Sequence, residues 1–249
     1  MKRSRRSSFL LGRLSLMKQK ESEKRTARRL LFDRVPPYVF ITFIYVLTID
    51  LTVFYATRPI LPYLPTHSLA TPLDGKIPLM PAWIIIYVLS FASWLLTVVW
   101  ILSESKRHAY RLCGVYTIIM TLTLTCFLAY PVTIERPEIT ESGLFNDLTR
   151  LIYTLDSPTN LCPSLHVVLS YICWRGTMDC QKIPKWYQWF NLAFLILVCF
   201  SILYVKQHYV IDIPVAIIIT EGALQIGRLT RIERIGFAIE ERFKRRKAQ

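Results

Sequence analysis

Apolar residues in this chain fall in long runs instead of amphipathic periods, and that distribution sets the class of fold before any motif is considered. About 30 Å of hydrocarbon is crossed by roughly 20 apolar helical residues. Such runs cover about Tyr38–Tyr55, Ala82–Leu102, Leu112–Tyr130, Ser164–Gly176, Trp189–Tyr204 and Tyr209–Ile226. They predict an all-α polytopic membrane protein, a bundle of six transmembrane helices. The fourth run is the weakest, apolar only over about Val167–Trp174, and hydropathy alone fits a buried or re-entrant helix there. From Pro163 to Met178 it rises only about 24 Å at 1.5 Å per residue. It is therefore expected to begin below the outer surface, with Ser164 and His166 at the depth of a lipid headgroup.

The connections differ in character. Arg58–Pro81 carries six prolines and is expected to be extended and irregular. Further on, Leu144, Leu148, Leu151, Ile152 and Leu155 recur at helical spacing. That pattern fits an interfacial helix on the outer leaflet or a connector packed over the bundle.

Composition agrees with the pattern, with 53% hydrophobic and 19% charged residues. The formal net charge of +14 would raise nucleic-acid binding in a soluble chain. Here the basic residues flank the apolar runs and form no stripe through them, so no nucleic-acid partner is expected. With both termini placed in the cytoplasm, 26 of the 31 Lys and Arg lie inside and five (Arg58, Lys76, Arg136, Arg150 and Lys206) outside. The chain then divides into a basic cytoplasmic arm (1–34), a six-span membrane domain (35–228) and a basic cytoplasmic tail (229–249). The arm, with seven Lys or Arg and no acid in its first twenty residues, is read as lying on anionic lipid and not as a presequence. The six cysteines contain no CxxC pair, which supports neither a zinc site nor a disulfide framework.

Chemistry-bearing residues gather on one face. His166 lies in Cys162-Pro163-Ser164-Leu165-His166, at the outer start of the fourth run. His208 lies just before the sixth, followed by Asp212, and Arg136-Pro137 lies just beyond the outer end of the third. His208 and Asp212 are four apart, so on a helix they share a face. The carboxylate can then accept the Nδ1 proton and present Nε2 as a nucleophile. His166 can donate a proton to a leaving oxygen. A transferring phosphoryl group spreads negative charge over three oxygens and calls for fixed positive charge and N–H donors. Arg136 offers a bidentate fork, Lys206 a point charge and Ser164 a hydroxyl. Pro163 suits a helix start, whose N–H groups would face the same anion.

Blander readings compete: interfacial anchoring for the histidines, packing or capping for the His/Asp pair, snorkelling for Arg136. Two histidines and a carboxylate also resemble metal ligands, but Arg136 and Lys206 beside a cation disfavour that, and neither metal nor cofactor is expected. Within the runs, Asp50 is costly in hydrocarbon and should face the bundle, near the site or paired with another helix. Glu221 is read as structural.

These residues also carry a resemblance to the type-2 phosphatidic acid phosphatase superfamily, which includes lipid phosphatases and is related to vanadium haloperoxidases. Its Arg-Pro, Pro-Ser-Gly-His and Ser-Arg…His…Asp motifs correspond to Arg136-Pro137, Pro163-Ser164-Leu165-His166, and Ser201 through His208 to Asp212. The resemblance implies a phosphohistidine at His208, leaving-group protonation by His166, orientation of His208 by Asp212 and no need for metal. Three positions depart from it. The first-motif Lys falls at Ala129, the third-motif Arg at Ile202, and Leu165 replaces Gly. The last resembles the inositolphosphotransferase and sphingolipid-synthase branch. The expected function is a membrane lipid phosphate phosphatase with an extracytoplasmic active site. The alternatives are a lipid headgroup phosphotransferase, and a non-enzymatic membrane protein or transporter whose basic tails bind anionic lipid.

Overall fold

The computed structural model describes residues 35–247; the basic arm expected over 1–34 and the last two residues of the tail lie outside them. The described residues are helical and contain no strand. The helices are α1 (Pro37–Ala56), α2 (Pro72–Lys76), α3 (Ile84–Glu104), α4 (Lys106–Ala129), α5 (Leu144–Leu155), α6 (Leu165–Met178), α7 (Lys185–Tyr204), α8 (Asp212–Thr230) and α9 (Glu233–Lys247).

Five of them, α1, α3 (with the 3-10 turn Pro81–Trp83), α4, α7 and α8, are long and apolar enough to cross a membrane. They coincide with five of the six expected spans. Their outward faces are apolar: Ile41 and Ile44 of α1, Leu96 of α3, Phe200 of α7 and Ile218 of α8 are all exposed. A surface of this kind is suited to hydrocarbon.

The fourth expected span is α6. Its 14 residues rise roughly 21 Å at 1.5 Å per residue, so it falls short of a full crossing. It is the centre of the bundle, packed on α3, α7 and α8, and His166, Val167, Val168, Tyr171, Ile172 and Cys173 are buried. Its neighbours shield it, so its hydropathy need not match a lipid-facing span.

At the end where α6 finishes, polar groups tie the connections together. Glu104 accepts the backbone N–H groups of Gln181 and Lys182 at 3.2 and 3.1 Å. Glu233, at the start of α9, receives Arg107 and Arg111 of α4, and Lys106 pairs with Glu240 at 2.6 Å. Burial opposes the Glu233 charge, but Arg111, a backbone N–H and Arg107 hold its carboxyl down to about 2. Glu221 accepts from Arg175 Nε and Nη2 at 3.0 and 3.2 Å, joining α8 to α6.

At the other end the connections fold into a cap. The proline-rich segment expected to be irregular contains the 3-10 turn Leu61–Tyr63 and the short helix α2. In α2, Thr71 and Asp74 form a capping box. His67 pairs with Val132 in an isolated bridge, and Leu161, Tyr209, Val132 and Ile134 form a small apolar cluster. The 12-residue α5 packs Leu148 and Ile152 on the core and leaves Leu144, Leu151 and Leu155 exposed. It joins both expected characters in one helix, packed on one side and apolar outward on the other.

Candidate active site

α7 ends in a Schellman turn that delivers His208. Gln207 N–H and Lys206 N–H return to the carbonyls of Ile202 and Leu203 at 2.9 and 3.2 Å, with Lys206 left-handed at φ 52°. His208 follows in the bend, and Asp212 is the first residue of α8. The sequence expectation placed both on one helical face. They meet instead across a turn, because the helix begins three residues later than its apolar run.

The outcome for the pair is a buried contact. His208 Nδ1 lies 3.1 Å from Asp212 Oδ2, and the same oxygen accepts Tyr209 N–H at 3.0 Å. With Nδ1 engaged, Nε2 is the ring nitrogen left for a substrate. Asp212 is fully buried, and its Oδ1 has no partner.

His166 stands in the first turn of α6. Its ring centroid is 5.8 Å from that of His208. It is wedged among aromatic rings of α3, with Tyr87 at 4.2 Å, Trp94 at 5.2 Å and Phe91 at 5.7 Å. Ser164 caps the helix, with a buried Oγ that has no partner. Pro163 lies one residue before it, in a cis peptide with Cys162, so it precedes the first turn instead of occupying it.

Both histidines line a small polar pocket with Arg136, Asp156, Ser157, Asn160 and Gln207. Arg136 donates to the carbonyls of Tyr153 and Asp156 at 3.2 and 2.5 Å and to Gln207 Oε1 at 2.5 Å, over the Tyr153 ring. Burial lowers the pKa of Arg136, with Asp156 opposing. Burial raises that of Asp156, against Arg136, His208 and the hydrogen bond from Tyr87 Oη. Arg136 Nε, Gln207 Nε2, Ser164 Oγ and His166 Nε2 are buried polar atoms without partners. Buried donors are nearly always satisfied, so Arg136 Nε, Gln207 Nε2 and His166 Nε2 at the pocket and Ser164 Oγ at the adjoining helix start fit an anion, beside one unpartnered acceptor of the lining, Asn160 Oδ1.

Lys206 is not brought to this pocket. Its left-handed backbone sends Nζ to the carbonyls of Asp74, at 3.1 Å, and Ile77. Asp74 Oδ1 in turn accepts Val210 N–H at 2.8 Å, so Lys206 and Asp74 brace the His208 turn from both sides. Burial opposes the Asp74 charge, but hydrogen bonds from Thr71 and Val210 hold its carboxyl below the usual range.

The sequence reading missed Gln207, Asp156 and Asn160. Gln207 adjoins His208 and was available; Asp156 and Asn160 sit in a connection whose path depends on Arg136. Among the described residues no group of three or more His, Cys, Asp or Glu is placed to hold a metal ion.

Beside the polar pocket lies a cavity of about 500 Å³ between α1, α3, α5 and α6. Its walls are largely aromatic and aliphatic, and Phe54, Asp156, Leu165 and His166 belong to both spaces.

The model of the PAP2 superfamily matches residues 63–226, which include all three motifs and both histidines. The chain belongs to the PAP2 superfamily. Among curated proteins no relative matches. PAP2 membership fits the helical membrane-type fold and an enzyme acting on phosphoric esters. It also gives a common frame for the histidines, Ser164 and Arg136, which the sequence holds up to 72 residues apart.

Proposed function

We propose that this protein is an integral-membrane lipid phosphate phosphatase. His208 Nε2 attacks phosphorus, and the lipid alkoxide leaves with a proton from His166, forming a phosphohistidine. Water then attacks phosphorus with His166 as base, releasing inorganic phosphate and regenerating His208. Asp212 holds the tautomer of His208 and stabilises positive charge on its ring. Ser164, Arg136, Gln207 and the α6 N-terminus bind the equatorial oxygens.

The observation that carries this reading is the shared wall. A polar pocket with two histidines opens beside an apolar cavity large enough for hydrocarbon, and His166 lines both. Leu51, Tyr55 and Leu95 of that cavity are also exposed on the bundle surface, which suits lateral entry from a bilayer. The excess of Lys and Arg at the opposite end supports cytoplasmic termini and an extracytoplasmic site, with α6 as a shortened sixth crossing. The basic tail of α9 would then lie on anionic lipid.

One observation favours a second reading, transfer of a phosphoryl headgroup to a lipid or polyol hydroxyl through the same intermediate. Lys206 is turned away and Arg136 is largely occupied by carbonyls, so the pocket offers few cations. A phosphodiester carries one charge fewer than an ionised monoester, which suits such a pocket. Detergent-purified protein in chelator, given labelled lipid phosphates and headgroup donors with and without acceptor lipid, separates the two. Phosphate release supports hydrolysis and acceptor labelling supports transfer; unchanged activity in His208→Ala would sink both.

A further inference from the structure

Three ionisable side chains other than tyrosine line the apolar cavity: Asp156, His166 and Asp50. The first two also belong to the polar pocket, whereas Asp50 does not. It stands on the cavity face of α1, in the series Phe43, Val46, Asp50, Phe54, which repeats once per turn. Phe54 touches both spaces. Asp50, one turn away, therefore lies roughly 6 Å along the helix axis from the edge of the polar pocket. Tyr116 Oη of α4 donates to its Oδ1, and Tyr116 is its one hydrogen-bond partner among the described residues. An acid in a membrane span is costly unless it serves another group, and one phenol uses only part of a carboxyl's capacity.

We propose that the Asp50–Tyr116 pair is a selectivity contact, taking a hydrogen bond from a hydroxyl or amide N–H on the lipid backbone next to the phosphate ester. This rests on the lipid phosphate reading above and narrows its substrate class. The reach agrees: a donor on the second backbone carbon is four bonds from phosphorus, up to about 6 Å at about 1.5 Å per bond, and the hydrogen bond itself adds about 3 Å. A diacylated glycerol phosphate has no donor at that level. A monoacyl glycerol phosphate has a hydroxyl, and an N-acyl sphingoid phosphate has an amide N–H and a hydroxyl. A site built to hydrogen-bond a substrate donor discriminates strongly against the analogue that lacks it.

The pair could also serve only to pin α1 to α4, and the test separates the two roles. The full chain and its Asp50→Leu, Asp50→Asn and Tyr116→Phe variants are given phosphatidic acid, lysophosphatidic acid and ceramide 1-phosphate of matched acyl length. Phosphate release or transfer is measured for each, beside a thermal scan. Wild type should prefer the two donor-bearing lipids, and Asp50→Leu should lower the ratio of their kcat/KM to that of phosphatidic acid by about tenfold. Asp50→Asn, which keeps an acceptor oxygen, should keep part of the preference, and it and Tyr116→Phe carry the test should Asp50→Leu not fold. A pin alone would lower stability and leave the ratio within twofold of wild type, which overturns the assignment while the enzyme reading stands. Wild type inactive on all three lipids overturns the lipid phosphate phosphatase reading and, with it, this contact.

Discussion

Replacing Asp212 with asparagine preserves the shape of a fully buried side chain and removes its charge. The carboxylate accepts from both His208 Nδ1 and Tyr209 N–H through Oδ2. In Asp212→Asn an amide oxygen in the place of Oδ2 keeps both donors, and the NH₂ group takes the place of the unpartnered Oδ1. The tautomer of His208 is then unchanged, and what is lost is the negative charge that steadies the ring as Nε2 attacks phosphorus. Loss of the charge-assisted bond alone costs roughly 1.5–3 kcal/mol, or about 10–150-fold in rate at about 1.4 kcal/mol per decade. The expected fall in kcat is therefore about 10–150-fold. Folding should change little, since relief of a buried charge offsets the lost bond. Single-turnover phosphate release with a thermal scan measures both. A folded Asp212→Asn enzyme within tenfold of wild type would refute the role given to this carboxylate.

Three further outcomes follow from other contacts. Gln207→Leu removes an unpartnered donor from the polar pocket and frees Arg136 from its side-chain partner; kcat/KM should fall about 10–100-fold and inhibition by inorganic phosphate should weaken. Lys206→Met loosens the His208 turn without touching the pocket, so kcat should fall a few-fold while phosphate inhibition stays unchanged; a large loss of phosphate inhibition would return Lys206 to the anion site. Glu233, held down to about 2 in the folded chain against an ordinary 4.5, contributes stability that is complete above pH 4.5 and is lost as pH falls from 4.5 toward 2. With the Arg107 partner well exposed to solvent, this amounts to about 1–2 kcal/mol, and thermal scans of Glu233→Gln should show a flatter profile over that window.

The apolar runs revealed the long helices because a lipid-facing helix must be apolar whatever it packs against, and α1, α3, α4, α7 and α8 obey that constraint. α6 was harder to place, since a helix surrounded by protein is free to be short and to carry Ser170, Tyr171 and Arg175. Local spacing brought His208 to Asp212, and the common face of the motifs brought them near His166. What the spacing did not show is backbone direction. Lys206 adopts a left-handed conformation that glycine usually supplies, and its ammonium consequently serves α2 instead of the pocket. Asp156 and Asn160 escaped for a related reason: each acquires its place from Arg136 or from the cap, contacts between segments that no local pattern encodes, whereas Gln207 was legible beside His208.

The proposed mechanism turns on one covalent bond, from His208 Nε2 to phosphorus. Acid-labile, alkali-stable label should appear on the chain when it is mixed with ³²P-labelled lipid phosphate in chelator and quenched within one turnover. Peptide mapping should place that label on His208, at no more than one per chain, with none in His208→Ala. Turnover that continues in His208→Ala, or a quenched enzyme carrying no label at His208 under conditions where product forms, would contradict the mechanism.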